Sequence, residues 1–201
     1  MIGLNVSPLR KLFNSEIKKS FDLIAKVNEL KPPLQQRYVF LIVELSFLKI
    51  YLAWEQLLEE TFIRYMTGGK TFKGYKVSSY VSPKNYIHAQ ELINEGKEYS
   101  NWTPDEIIRK ASLFFKKEPY KNALKPIIQQ LNEMKCIRNR IVHGSHHSNE
   151  KFKSLVRSKI SYAPVGITAG DFLLKMESET KKTFFEFYTD FIVNASKKIV
   201  P

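Results

Sequence analysis

The chain has 201 residues and a mass of 23.5 kDa, a length that fits one domain with a buried core. Its hydrophobic share of 43% and aromatic share of 13% are those of a globular protein and argue against a disordered one. The 32 Lys and Arg residues outnumber the 20 Asp and Glu residues, and the resulting net charge of +12 favours contact with polyanions.

The cysteine count and the apolar stretches indicate the compartment. Cys136 is the only cysteine, which excludes an internal disulfide and a zinc site built on thiolates. No basic segment followed by an apolar core opens the sequence, so we expect no secretory signal and a cytoplasmic protein. The longest apolar stretch, residues 38–54, contains Glu44 and Lys49. Since one charge at the centre of a bilayer costs about 2.5–3.5 kcal/mol, we predict a buried helix there and no membrane span.

Helical periodicity begins near the start of the chain. Ser7-Pro8 is typical of an N-cap followed by a proline in the first turn, and apolar residues then recur at three- and four-residue spacing. This predicts a first helix that ends at Lys31-Pro32-Pro33. A second helix is predicted over residues 34–66, before Gly68-Gly69. Because it is apolar on nearly every face over residues 38–54, we expect it to be the most buried element, with part of it in a subunit interface.

The remainder of the chain predicts shorter helices. Residues 70–83 are the least helical and predict a surface loop with at most one short strand pair. Further helices are predicted at about 83–97, 104–116, 119–142 and 169–199. No repeat or linker divides the chain, so the sequence predicts one domain over residues 1–201. Its expected class is all-α, an up-down bundle of four to five main helices with decorated loops.

Chemically active side chains concentrate at the end of the predicted helix 119–142, in the segment Arg138-Asn139-Arg140-Ile141-Val142-His143-Gly144. Asn139 and His143 are four residues apart and therefore share one helix face, with Arg138 beside them. The negative end of the helix dipole favours a positively charged side chain at this position. The segment brings a fixed cation, an amide and a titratable ring to one helix C-terminus.

RNA cleavage by attack of the ribose 2′-OH needs these groups and no metal. A base removes the 2′-OH proton, an acid protonates the 5′-oxygen, and a cation stabilises the charge that develops on the phosphate. We assign His143 as base or acid, Arg138 as the cation, and Asn139 as the group that orients by hydrogen bonding. One histidine cannot fill both proton roles in one step, so water or a second copy in a symmetric dimer would assist. The alternative is that Arg138 and His143 only cap a helix end.

The same segment resembles the signature of a known family. Residues 138–143 are similar to the Arg-Asn-x-x-x-His motif of the HEPN superfamily (higher eukaryotes and prokaryotes nucleotide-binding domains), and residues 53–59 resemble the second helix of its RiboL-PSP-like groups. The resemblance implies a metal-independent endoribonuclease, often a toxin or defence effector, that acts as a homodimer. Its two motifs, each with Arg138, Asn139 and His143, would face each other across a shared cleft. It also implies an antitoxin or regulatory partner. Toxins controlled by a nucleotidyltransferase carry a tyrosine where this chain has Ser145, which argues against that mode of control.

Three further features have two interpretations each. Glu55 lies in the family-like stretch and is our choice for a carboxylate that orients His143 or polarises a base, although it could equally line a solvated face. His146 and His147 are interpreted as loop histidines near an RNA cleft, because no cysteine or paired carboxylate accompanies them as metal ligands. Cys136 is interpreted as a core residue and not as a nucleophile.

We therefore expect no cofactor and no bound metal. The function predicted from the sequence is RNA cleavage, with RNA and a second copy of the chain as partners. The rival function is a non-catalytic basic helical module that binds nucleic acid or a protein partner.

Overall fold

A computed structural model describes residues 5–95 and 102–201, and these residues are mostly helical. The helices are α1 (Ser7–Asn28), α2 (Gln36–Met66), α3 (Tyr86–Asn94), α4 (Pro104–Phe114), α5 (Tyr120–Leu124), α6 (Ile128–Val142), α7 (His146–Ile160), α8 (Ala169–Leu174) and α9 (Phe184–Ile199). Two short strands, β1 (Ser78–Ser79) and β2 (Phe115–Lys117), pair antiparallel, and a 3₁₀ turn at Lys125–Ile127 joins α5 to α6. The predicted all-α class is confirmed, and no helix within the described ranges is long and apolar enough to cross a membrane.

The two longest helices begin and end close to their predicted bounds. Pro32 and Pro33 follow the end of α1, where a proline cannot donate the backbone hydrogen bond that would continue the helix. At the end of α2, Gly68 adopts a φ of 82°, a left-handed conformation that favours glycine. The amide of Gly69 then donates to the Arg64 carbonyl oxygen at 2.7 Å, which satisfies an acceptor at the helix end.

Two predicted helices are interrupted in the structure. The helix expected over 119–142 is divided into α5, the 3₁₀ turn and α6, and Pro126 lies at the division, where its missing N–H prevents a continuous ladder. The helix expected over 169–199 is divided into α8 and α9. Between them, Met176 and Thr183 form an antiparallel bridge, and the Glu177 carboxylate accepts from the Thr180 amide at 2.7 Å. The polar side chains of this turn compete with helical hydrogen bonds.

Helix α7 is not among the helices predicted from the sequence. Ser145 caps this helix, with its hydroxyl oxygen accepting from the Ser148 amide at 3.2 Å. His146 and His147 occupy its first turn, so their interpretation as loop histidines is wrong. The helix buries few apolar side chains, chiefly Phe152 and Val156, and its hydrophobic periodicity is correspondingly weak.

The chain divides into two compact units, and the boundaries between them fall within α1, α2, the first turn of α6, and α9. The first unit comprises Met1–Asn14, Trp54–Ile128 and Ile192–Pro201, and the second comprises Ser15–Ala53 and Gln129–Phe191. The single domain over residues 1–201 stays a prediction.

The first unit has an aromatic core centred on Phe62 of α2. Its ring lies 4.8 Å from that of Phe115 and 5.2 Å from that of Tyr120, measured between centroids. The Tyr120 hydroxyl lies 3.0 Å from that of Thr61, and the Tyr65 hydroxyl donates to the Ile199 carbonyl oxygen at 2.8 Å. The buried hydroxyls of this core therefore have hydrogen-bond partners, as burial requires.

The core of the second unit fixes the helices that carry the predicted site. The Phe172 ring stacks on that of Phe184 at 4.5 Å and meets that of Phe152 of α7 edge-on at 5.9 Å. Glu133 of α6 holds two neighbours, because one carboxylate oxygen lies 2.8 Å from the Lys159 ammonium and the other accepts from the Tyr188 hydroxyl at 2.9 Å. These contacts join α6 to α7 and to α9 within the unit.

Glycine is required where α8 meets α2. A Cβ added at Gly170 would lie 2.2 Å from the carbonyl oxygen of Phe40, so no larger residue fits without a backbone shift. The Gly170 amide donates to the Glu44 carboxylate at 2.9 Å. Glu44, one of the charges that argue against a membrane span, thus serves as a structural acceptor.

Candidate active site

A pocket of about 330 Å³ opens where α6 leads into α7, entirely within the second unit. Its lining residues are Cys136, Asn139, His143, Ser145, His147, Ser148 and Lys151. The volume falls at the lower end of the usual range for small-ligand sites, about 300–1,000 Å³. The structure therefore brings Asn139 and His143 to one pocket, as their spacing predicts, and adds His147 and Lys151.

The short turn between α6 and α7 sets the positions of the two histidines. The His143 amide donates to the Asn139 carbonyl oxygen at 2.9 Å, which continues the helical pattern one residue past the end of α6. The hydroxyl of the buried Ser148 lies 2.6 Å from the His143 carbonyl oxygen and 2.9 Å from that of Ser145. One side chain thus ties the last turn of α6 to the first turn of α7. His143 and His147 are both exposed, so a solute in the pocket can reach them.

Arg138 contacts its neighbour Asn139 and lies outside the seven residues that line the pocket. Its Nη1 donates to the Asn139 Oδ1 at 3.0 Å. This contact occupies the acceptor oxygen of the amide, so the group that Asn139 offers to a ligand is its N–H donor. The Arg138 Nε is buried and has no hydrogen-bond partner among the described residues. The arrangement makes Arg138 the support of Asn139, and its direct contact with phosphate stays a prediction.

Cys136 forms part of the pocket wall and is half-buried, whereas the sequence indicated a core position. Burial raises the pKa of its thiol, and the opposing charge of Lys151 has a smaller effect. A thiol with a raised pKa is protonated at neutral pH, and the thiolate is the nucleophilic form. The raised pKa therefore gives no support to Cys136 as a nucleophile, and its role stays a prediction.

The remaining predicted residue, Glu55, belongs to α2 in the first unit and not to the unit that holds the pocket. Its side chain is half-buried, and its part in the site stays a prediction. In the described portion of the chain, no group of three His, Cys, Asp or Glu side chains is placed to hold a metal ion.

Lys151 is not among the site residues predicted from the sequence, and His147 has no defined role among them. The signal that could have identified both is the Ser145 cap, which starts a helix whose first and second turns carry these side chains. No family model, no characterised protein and no solved structure matches the chain. The resemblance to HEPN domains therefore stays a prediction that depends on the motif and its setting.

Proposed function

We propose that this chain is a metal-independent endoribonuclease of the HEPN type that uses the pocket between α6 and α7. The observation that carries the proposal is the gathering of two imidazoles, an amide and an ammonium group in one pocket: His143, His147, Asn139 and Lys151. A phosphodiester brings negative charge and needs two proton transfers, and this set offers partners for both requirements.

The chemistry assigns one role to each group. The 2′-oxygen attacks phosphorus while one imidazole takes its proton, and the bond from phosphorus to the 5′-oxygen breaks while the other imidazole, protonated, supplies a proton to that oxygen. Asn139 donates to a phosphate oxygen, and Lys151 offsets the charge that develops there. The products are a 2′,3′-cyclic phosphate and a 5′-hydroxyl. Because His143 and His147 line the same pocket, one protomer carries both proton-transfer groups.

A cleavage assay with EDTA present tests this function. We expect the purified chain to cut RNA at an unchanged rate in EDTA and to leave 2′,3′-cyclic or 3′-phosphate ends, because every proposed group is a side chain. Product ends can be identified by mass spectrometry. Cutting that requires an added divalent cation would contradict the proposal, and RNA binding without any cutting would favour the non-catalytic module.

The exposed face of α2 supports a homodimer. The residues Tyr38, Leu41, Leu45 and Leu52 are all exposed and follow one another at spacings of three, four and seven. This is the seam pattern with which one helix packs against a second copy of itself, so a two-fold axis would bury the stripe. A toxin or defence effector of this kind would act in the cytoplasm and be restrained by an antitoxin or regulatory protein.

Introducing negative charge into this stripe should dissociate the dimer. Leu41→Asp with Leu45→Asp should give a monomer at micromolar concentration in light scattering, because each buried leucine contributes about 1.5–3 kcal/mol. Leu12→Asp is the matched control, since Leu12 is a 64% exposed leucine of α1 outside the stripe. A wild-type chain that is itself monomeric would refute the dimer.

Arg138 and Asn139 should behave as one functional group, since the guanidinium holds the amide oxygen. We expect Arg138→Ala and Asn139→Ala each to lower kcat by about 10²–10³-fold. The kcat of the double variant should be no lower than that of the slower single variant. Arg138→Lys should restore little, because an ammonium lacks the planar fork. Arg140→Ala on the same helix is the control. Full additivity of the two losses would show that the residues act separately.

A further inference from the structure

Two large aromatic rings of the first unit are exposed, each with a lysine beside it. Phe72 is 65% exposed and Tyr80 is 61% exposed. The Lys11 ammonium lies 5.3 Å from the centroid of the Phe72 ring, and the Lys116 ammonium lies 5.8 Å from that of Tyr80. Cation–π pairs are common in proteins, but these two lie only eight residues apart in the sequence, and each leaves most of its ring open to solvent.

The backbone that carries both rings is held by hydrogen bonds. Lys70 and Lys76 form an antiparallel bridge, so residues 70–76 make a tight hairpin, and the Phe72 amide donates to the Ser7 hydroxyl at 2.9 Å. The Tyr80 amide, just after β1, donates to the Phe114 carbonyl oxygen at 2.8 Å. Because the backbone is held, only the side-chain torsions of each ring have to be ordered when a ligand stacks on it.

The hairpin and the strand β2 each contribute a side chain to one pocket. Tyr75 of the hairpin and Lys117 of β2 line one pocket of about 540 Å³ in the first unit, together with Glu118 and Lys198. Glu118 is the acidic side chain among these lining residues, and no Asp or Glu occurs anywhere in residues 61–90. The exposed lysines of the region are Lys11, Lys70, Lys73, Lys76, Lys84, Lys116 and Lys117. The segment that carries both rings is therefore basic and free of acidic side chains, and each ring has one lysine beside it.

We propose that this aromatic–lysine surface, formed by Phe72, Tyr80 and the lysines around them, binds single-stranded nucleic acid. Unpaired bases stack on the free faces of the two rings, and the backbone phosphates lie against the lysines. The bases of a duplex already stack on one another and present no free face, so the surface discriminates against double strands. Binding of this kind requires no cleavage, and the inference is therefore independent of the proposed nuclease activity.

Binding of an oligothymidylate to the full chain tests the surface. A labelled strand of about 15 nucleotides, near the upper site size of single-strand binders, is followed by fluorescence anisotropy. It lacks the 2′-OH, so the proposed nuclease chemistry cannot cut it. We expect Phe72→Ala and Tyr80→Ala each to weaken binding roughly tenfold and the double variant roughly a hundredfold, because each removes one stacking partner. Phe72→Tyr and Tyr80→Phe should bind like the wild type.

Matched controls separate stacking from charge and from misfolding. Tyr162→Ala removes a tyrosine that is 63% exposed in the second unit, and it should leave the affinity unchanged. Thermal unfolding of the double variant should match the wild type, since both rings are exposed. A duplex of equal length should bind more weakly than the single strand, and the ring substitutions should not change its affinity.

The inference is overturned if the double variant binds the oligonucleotide within about threefold of the wild type, or if the wild type does not bind it. It is also overturned if the double variant loses only binding to vesicles that contain phosphatidylserine.

Discussion

RNA that carries 2′-deoxyribose at the cleaved position should resist the chain. The proposed reaction uses the 2′-oxygen of the substrate as its nucleophile, and removal of that atom leaves no group to attack phosphorus. The rate at that position should fall by at least about 10⁴-fold, beyond the usual contribution of any single proton-transfer side chain. A gel assay on an oligonucleotide with one deoxy substitution measures the loss directly.

The matched control moves the deoxy substitution two nucleotides away from the cleaved bond. That substrate keeps its nucleophile and should be cut at the normal rate, which separates lost chemistry from lost binding. If the substrate with 2′-deoxyribose at the cleaved position were cut as fast as RNA, water or a side chain would be the nucleophile. The assignment of His143 and His147 to a 2′-OH reaction would then be wrong, whatever the variants of those residues showed.

The parts of the fold that carry strong local signals could be predicted from the sequence. The proline pair begins four residues after the end of α1, and the glycine pair begins two residues after the end of α2. Proline lacks the N–H that would continue a helix, and glycine readily adopts the left-handed conformation that ends one, so both pairs locate helix ends without tertiary information. The same applies to α4, which begins at Pro104 after Thr103 as predicted. In these cases the terminating residue acts through its own backbone.

The only strong local signal for α7 is the Ser145 cap at its start, so the helix was not predicted and the predicted site was incomplete. This helix is held by contacts distant in sequence, among them the ion pair between Lys159 and Glu133 and the contact between the Phe152 and Phe172 rings. Its own sequence is mostly polar, which weakens the hydrophobic period. His147 and Lys151 enter the pocket only because α7 is helical from its first residue.

Within the site, the positions that follow from helical spacing could be predicted from the sequence. Asn139 and His143 share a face because they are four residues apart, and both line the pocket. Arg138 precedes Asn139 directly, and adjacent positions on a helix point in different directions. Its long side chain reaches the neighbouring amide all the same. Such a contact depends on the rotamer of the arginine and cannot be predicted from the spacing of the two residues.

The two pocket histidines should each be necessary for cleavage, whereas their neighbour should not. We expect His143→Ala and His147→Ala each to lower kcat by about 10²–10⁴-fold, the usual span for a general acid or base. His146→Ala is the matched control, because His146 is also exposed and lies in the same helical turn as His147 but does not line the pocket. It should retain the rate of the wild type within about threefold, a margin well below the contribution of a proton-transfer group.

Single-turnover kinetics on a short RNA, with saturating protein, assigns any loss to the chemical step. If His147→Ala retained the wild-type rate while His143→Ala lost activity, the second proton would have to move through water or through a histidine of the partner subunit.

A mixed dimer of His143→Ala and His147→Ala chains tests whether the two histidines of one site belong to the same protomer. Sites built within one protomer each lack one imidazole in this mixture and stay inactive. A site that combines His143 of one chain with His147 of the other would regain activity at one of its two copies, because that copy holds both intact rings. The proposal of a complete acid–base pair in each protomer requires the mixed dimer to be inactive.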